Sequence, residues 1–446
     1  MPNENNIKRK SIIVSFPSHF QEISLIKTGI LDCLLMKGYH LIIVVNDAAE
    51  KRHLEGYFLG KDVTIEVFDY QCVPRHIIDK KIGAILYLKS WNKLSFKRRM
   101  LLESLKTNTR GIRYEVEMVV ALLSAFIPEK LILWILYNIF SNKELDLLFS
   151  KYKPVLVILS WAGTHLTEKM LVRSAKIYHC KTISVDACWD YMEYSPWMPR
   201  VDKLLVWNNI MEREAVSYHD YSPEEVSAIG ILRCDFYKRK ELLWDKEEFF
   251  KKNGLDVNKK LIILALTPIW PEALSLKIIK IIRGIKNAPY PFQIYVRLAS
   301  GMSAKVFNEF CNDPLVHIER GFERTHLISE NDIMNLVNLL AYTDILVSVL
   351  STLILESCYF DKPNISLAFE SIPRALYERN CIQPLLSQRG IKVVYDENDL
   401  ISAINTYLLD PNADSAGRKN ILEKLCFATD GKASQRALME IEKLMH

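Results

Sequence analysis

Several common chemistries are missing from this chain. It has nine cysteines, but no two are spaced as Cys-x-x-Cys. Neither a zinc knuckle nor a disulfide framework is therefore indicated. Scattered free thiols fit a reducing cytosol, so a cytoplasmic protein is expected. The polar N-terminus, ending in Lys8, Arg9 and Lys10, lacks the apolar core of a signal peptide. Long apolar runs are absent too. The nearest, Val119 to Phe140, is interrupted by Pro128, Glu129 and Lys130, so a spanning helix is not expected. There is no Walker loop and no G-x-G-x-x-G, which argues against an ATPase or a nicotinamide enzyme. No Asp-x-Asp follows a strand, and there is no His-Glu-x-x-His or Cys/His cluster, so no metal site is expected. The net charge of +5 is mild. With no finger, recognition helix or aromatic RNA-binding signature, no nucleic-acid partner is expected.

What remains is ordinary globular material, 49% hydrophobic and 25% charged over 446 residues. That length predicts two or three domains. Strands and helices alternate, with strands expected at Ser11–Phe16, Leu41–Asn46, Val63–Phe68, Val155–Ser160, Lys181–Val185, Lys203–Trp207 and Val226–Ile229. Phe20–Lys37 reads as one helix ending at Gly38, and Leu166–Tyr178 as another. From about 91 to 152 the pattern turns helical, an insertion into the alternation. A charged stretch, Lys238 to Lys260, separates the halves. The rhythm then restarts, with strands expected at Leu261–Leu266, Phe292–Leu298, Ile345–Leu350 and Asn364–Ala368. Alternation of this kind predicts parallel sheets covered by helices. The fold class is thus α/β, with two Rossmann-like, doubly wound domains and a cleft between them. Their expected extents are 1–237 and 238–425, with a C-terminal helix at 426–446 packing back toward the first domain.

One segment carries the most chemistry. The apolar run from Ile345 to Leu350 leads into Ser351 and Thr352, which cap a helix expected to run to about Phe360. Free N–H groups at a helix start favour an anion. Open α/β sheets bind ligands at the carboxyl ends of their strands. Glu356 lies one turn past Thr352 and could accept hydrogen bonds from a ribose diol. The same residues also make an ordinary capped crossover with nothing bound. Between Lys89 and Arg113 eight basic residues face one acid, Glu103. Such a stretch either touches an anionic membrane surface or forms a solvated helix face.

Several stretches together resemble GT-B glycosyltransferases of bacterial surface-polysaccharide biosynthesis. They are Ile12–Phe20 with Leu34–His40, Lys203–Tyr237 with its Gly230, Arg233 and Asp235, Ser351–Pro363, and Asp430–Arg436. Ser160–Lys169 and Asp186–Tyr191 are similar to a carbohydrate-biosynthesis subgroup, from which Ala187, Cys188 and Asp190 depart. The resemblance implies a transferase that moves a sugar from a nucleotide-sugar donor to a hydroxyl of a surface glycan or lipid-linked acceptor. It needs no cofactor beyond that co-substrate.

By this reading the second half holds the donor against Thr267, Arg297, Ser351, Thr352 and Glu356. Arg233 at the hinge either touches donor phosphate or pairs with Asp235. Arg297 would grip phosphate at a strand end, where the related enzymes' His and Pro are missing. His19, just past the first strand, is the first candidate for the base that deprotonates the acceptor hydroxyl, with Asp186 second. Trp189, Asp190 and Tyr191 are candidate acceptor contacts, the aromatics by stacking. Three other readings stay open. A nucleotide-sugar 2-epimerase commonly shows Ser-Gly-Gly where this chain has Leu350-Ser351-Thr352. A polyol-phosphate transferase would need a second histidine base. A degenerate, non-catalytic nucleotide-binding scaffold is the last.

Overall fold

The computed structural model describes residues 9–16, 22–68, 142–160, 165–185, 188–193, 200–267, 271–299, 302–319 and 329–445, with single positions 128, 131, 134 and 162. Most of the helical insertion, the basic stretch, His19 and Asp186 lie outside these residues. The described part separates into two compact units, Met1–Arg233 with Ala433–His446, and Cys234–Lys432. The first division lies just ahead of the expected one after 237. The second falls at Ala433 rather than 426.

The first unit holds a seven-stranded sheet in the order β3-β2-β1-β4-β5-β6-β7. Its strands are β1 (Ser11–Phe16), β2 (His40–Val45), β3 (Val63–Val67), β4 (Leu156–Leu159), β5 (Lys181–Val185), β6 (Lys203–Val206) and β7 (Val226–Ala228). Every pairing is parallel, with Ile12 opposite both Leu41 and Leu156. Central parallel strands are covered on both faces, which is why they read as continuous apolar runs. Ile12, Ile13 and Val14 are fully buried. The order reverses between β1 and β4, the switch point where open sheets leave a crevice at their carboxyl edge.

The single helix expected over 20–37 is broken. A π-helical stretch, Glu22–Lys27, stops short of a second helix, Ile30–Met36. Between them Gly29 has φ of 81°, a left-handed conformation that glycine adopts without steric cost and that no helix continues. The helix Ala433–Met445 closes the unit. Its Ala433, Ala437 and Ile441 join the core formed by β1, β2 and the helix Ile30–Met36. Glu440 bridges to Lys203 at 3.3 Å.

The second unit repeats the plan with six parallel strands in the order β10-β9-β8-β11-β12-β13. These are β8 (Lys260–Ala265), β9 (Phe292–Arg297), β10 (Val316–Ile318), β11 (Ile345–Ser348), β12 (Asn364–Leu367) and β13 (Lys392–Val394). Asp344 sets the central register: its carboxylate accepts from Leu261 N at 2.8 Å and from Lys260 Nζ at 2.9 Å. The switch point here lies between β8 and β11. Among the described residues no helix is long and apolar enough to cross a membrane.

Candidate functional site

Three neighbouring strand ends of the second unit bring four expected residues to one edge. Ala265 of β8 pairs with Arg297 of β9, and Leu264 pairs with Val347 of β11. Thr267 follows β8, Arg297 ends β9, and Ser351 and Thr352 follow β11. The hydroxyl of Ser348 donates to Ala265 O at 2.9 Å and ties the two switch-point strands together. Thr267 Oγ1 is buried and meets no hydrogen-bond partner among the described residues. A buried hydroxyl without a partner is uncommon enough to need a reason.

The helix after β11 is shorter than expected, Thr352–Cys358. Ser351 caps it, accepting from Leu353 N at 3.2 Å. Just before the cap, Leu350 has φ of 36°. A bulky residue in this region is a backbone outlier, and such outliers concentrate at ligand sites. Its N–H donates to Ser366 Oγ at 3.3 Å, which helps hold the strained turn.

Arg297 and Glu356 are both engaged within this unit. Arg297 Nε lies 4.0 Å from Glu319 Oε1 in a mostly buried ion pair. Glu319 also accepts from Leu298 N at 3.0 Å. Glu356 is only 2% exposed, and its carboxylate accepts from the Tyr237 hydroxyl. A ribose therefore finds this carboxylate already in use.

At the switch point of the first unit different groups gather. Ser160 follows β4, and its backbone N–H donates to Glu168 Oε1 at 3.0 Å. Glu168 is fully buried in the first turn of the helix Leu166–Ile177, so Ser160 sits against that turn. Ser160 Oγ, Thr167 Oγ1 and His165 Nδ1 are buried without a partner among the described residues. Burial pushes the His165 ring down to about 4 and the Lys169 amine down to about 8. Both shifts come from desolvation, which penalises the charged form. The motif Ser160–Lys169 was visible in the sequence, but nothing there assigned His165, Thr167 or Lys169 a role. Their one signal was three polar residues starting a helix beside a strand end.

The other expected residues fall as follows. Trp189 is 5% exposed, a packing position that leaves little face for a sugar ring. Asp190 accepts from Cys188 Sγ at 2.8 Å, and Tyr191 begins a short turn, Tyr191–Glu193. Arg233 ends the first unit, its guanidinium carbon 5.0 Å from the centre of the Trp207 ring. Asp235 belongs to the second unit. Among the described residues no group of three or more His, Cys, Asp or Glu could hold a metal ion.

Solved structures with this arrangement were found. UDP-GlcNAc 2-epimerase from Neisseria meningitidis, bound to UDP-GlcNAc, superposes with a TM-score of 0.56 at 13% identity, covering 97% of this chain and 100% of the other. The fold is of the GT-B type. A glycosyltransferase from Rickettsia africae gives 0.55 at 13% identity, over 98% of this chain and 99% of that one. A variant of the wall teichoic acid polymerase TagF soaked with CDPG gives 0.55 at 12% identity, over 99% and 90%. At such identities the likeness is one of fold. In sequence, residues 314–443 match the family model described as CDP-glycerol:poly(glycerophosphate) glycerophosphotransferase. No curated protein matches the chain. The matched stretch includes β11 and the Ser351 cap.

Proposed function

We propose that this GT-B protein is a transferase that moves a nucleotide-activated group to a hydroxyl of a bacterial surface polymer or lipid-linked acceptor. The observation that carries the reading is the convergence of Thr267, Arg297, Ser351 and Thr352 at the switch point of the second sheet, beside the strained Leu350. Hydroxyls, a helix start and a guanidinium suit the diphosphate of a donor and neutralise the charge that develops as it leaves. Such groups can do so without a metal ion. Glu356 is the candidate for the ribose.

Proton removal is assigned to the first unit. His19 is the proposed base, with Asp186 second. His165 is a poor rival for that role. A ring held near 4 stays neutral at physiological pH but is too weak a base to take a hydroxyl proton efficiently. It suits a hydrogen bond to the acceptor instead.

The transferred group has two readings. In the first it is a sugar, the acceptor oxygen attacks the anomeric carbon, and a nucleoside diphosphate leaves. In the second it is glycerol phosphate from CDP-glycerol, the acceptor oxygen attacks phosphorus, and CMP leaves. The glycerophosphotransferase family match favours the second reading for the C-terminal part of the chain. The epimerase likeness supports the fold, while Leu350-Ser351-Thr352 departs from the epimerase pattern. Incubation with UDP-sugars and with CDP-glycerol, plus a membrane fraction as acceptor, decides. Release of nucleoside diphosphate with labelled sugar in polymer supports glycosyl transfer. Release of CMP with labelled glycerol in polymer supports the polyol-phosphate reading. Nucleotide binding without either product leaves a scaffold.

A further inference from the structure

Glu356 poses a problem for any ribose. A carboxylate at 2% exposure must be hydrogen-bonded, because an unpaired buried charge is costly. Its neighbours along the helix, Leu353 to Cys358, are all buried. One donor it has is a neutral hydroxyl, that of Tyr237. A ribose hydroxyl is the same kind of group. We infer that Tyr237 stands in for the ribose of the donor nucleotide, holding Glu356 until the diol takes its place. The inference rests on the assignment of Glu356 to the donor site.

The position of Tyr237 gives the exchange a consequence. The second unit begins at Cys234, so Tyr237 sits on the segment where the chain passes from one unit to the other. That segment, within Leu232–Lys238, is a short 3-10 stretch rather than part of a long helix. It grips the end of the helix Thr352–Cys358 at two points. Cys234 hydrogen-bonds the Tyr359 phenol, and Tyr237 bonds Glu356. The Tyr237 ring also lies 5.4 Å from the rings of Tyr359 and Phe360. Lys238 packs against the return crossing: a Cβ on Gly431 would come within 2.9 Å of Lys238 Cβ. The outgoing and returning passages therefore pack against each other at Lys238 and Gly431. When the ribose displaces the Tyr237 hydroxyl, one of the two grips is lost and residues 234–238 loosen. Donor binding is reported to the crossing segment through the bond between Tyr237 and Glu356.

The decisive variant is Tyr237→Phe, which keeps the ring and removes only the competing hydroxyl. Calorimetry with CDP and with UDP as probes should show Tyr237→Phe binding the preferred nucleotide about tenfold more tightly than the unaltered protein, the scale of one lost competing bond to a charged group. Equal or weaker binding overturns the stand-in. Glu356→Ala separates the two failures. If it weakens binding while Tyr237→Phe brings no gain, the donor assignment stands and the stand-in falls. If it changes nothing, Glu356 is outside the nucleotide site and both fall. No binding of either probe to any of the three proteins also overturns both. Amide exchange gives an independent readout: nucleotide should speed exchange at 234–238 in the unaltered protein, and unchanged or slower exchange there contradicts the proposal.

Discussion

The two units are built on one plan and end in different chemistry. Each has a central pair of parallel strands at which the strand order reverses, β1 with β4 and β8 with β11. At the first reversal the chain gathers titratable groups, buried Glu168 with the desolvated His165 and Lys169, beside hydroxyls that meet no partner among the described residues. At the second it presents hydroxyls, a helix cap and an arginine, with backbone strain at Leu350. The same topology therefore ends in desolvated titratable groups at one reversal and in hydroxyls and a guanidinium at the other. Which one results depends on the few residues after each strand, since fold alone does not set function.

The comparison breaks most visibly if the proton and anion roles are misassigned. His19→Ala should cut turnover by about 10²–10⁴ and leave nucleotide affinity unchanged. Near-normal rates, measured with whichever donor is active, would move the base to Asp186. On the other side, Glu356→Ala should weaken nucleotide binding by a few-fold to about a hundredfold, and Arg297→Lys by about tenfold. The lysine variant keeps a cation near Glu319, so its melting temperature should barely move. A large fall in melting temperature with unchanged affinity would make Arg297 a structural ion pair.

Acid should distinguish the units next. The unfolded chain takes up a proton at His165 near 6.5, while the folded unit does so only near 4. The unfolded state therefore binds more protons in that window, and stability falls as pH drops from about 6.5 to about 4. Amide exchange followed by unit should show this loss in the first unit, and His165→Leu should flatten it. Lys169 works at the alkaline end. Its folded value of about 8 lies below its ordinary 10.5, so stability rises as pH climbs between them. The smallest effect is expected at Leu350→Gly. Relief of the left-handed backbone is worth about 1–2 kcal/mol and offsets lost side-chain packing, so the melting temperature should change little.

Much of this fold could be read from the chain, for a physical reason. Parallel strands buried on both faces tend to be continuously apolar, so β2, β4, β8 and β11 showed themselves directly. The edge strands β10 and β13 did not. Each has three residues, and Val316-His317-Ile318 and Lys392-Val393-Val394 are too short and too mixed to stand out from a loop. The break at Gly29 was missed because an apolar helical pattern runs through it. At the candidate site, local features were legible and distant ones were not. The Ser351 cap is written in adjacent residues. The bond between Tyr237 and Glu356 joins positions 119 apart, and nothing in either segment names the other. Likewise, the burial that lowers His165 comes from packing that no motif records.

The most direct test of the account is calorimetric titration of the preferred nucleoside diphosphate into the unaltered protein, Arg297→Lys and His165→Leu. Binding should weaken about tenfold in Arg297→Lys and stay unchanged in His165→Leu. Binding that survives in Arg297→Lys and is lost in His165→Leu would place the nucleotide in the first unit and contradict the division of roles.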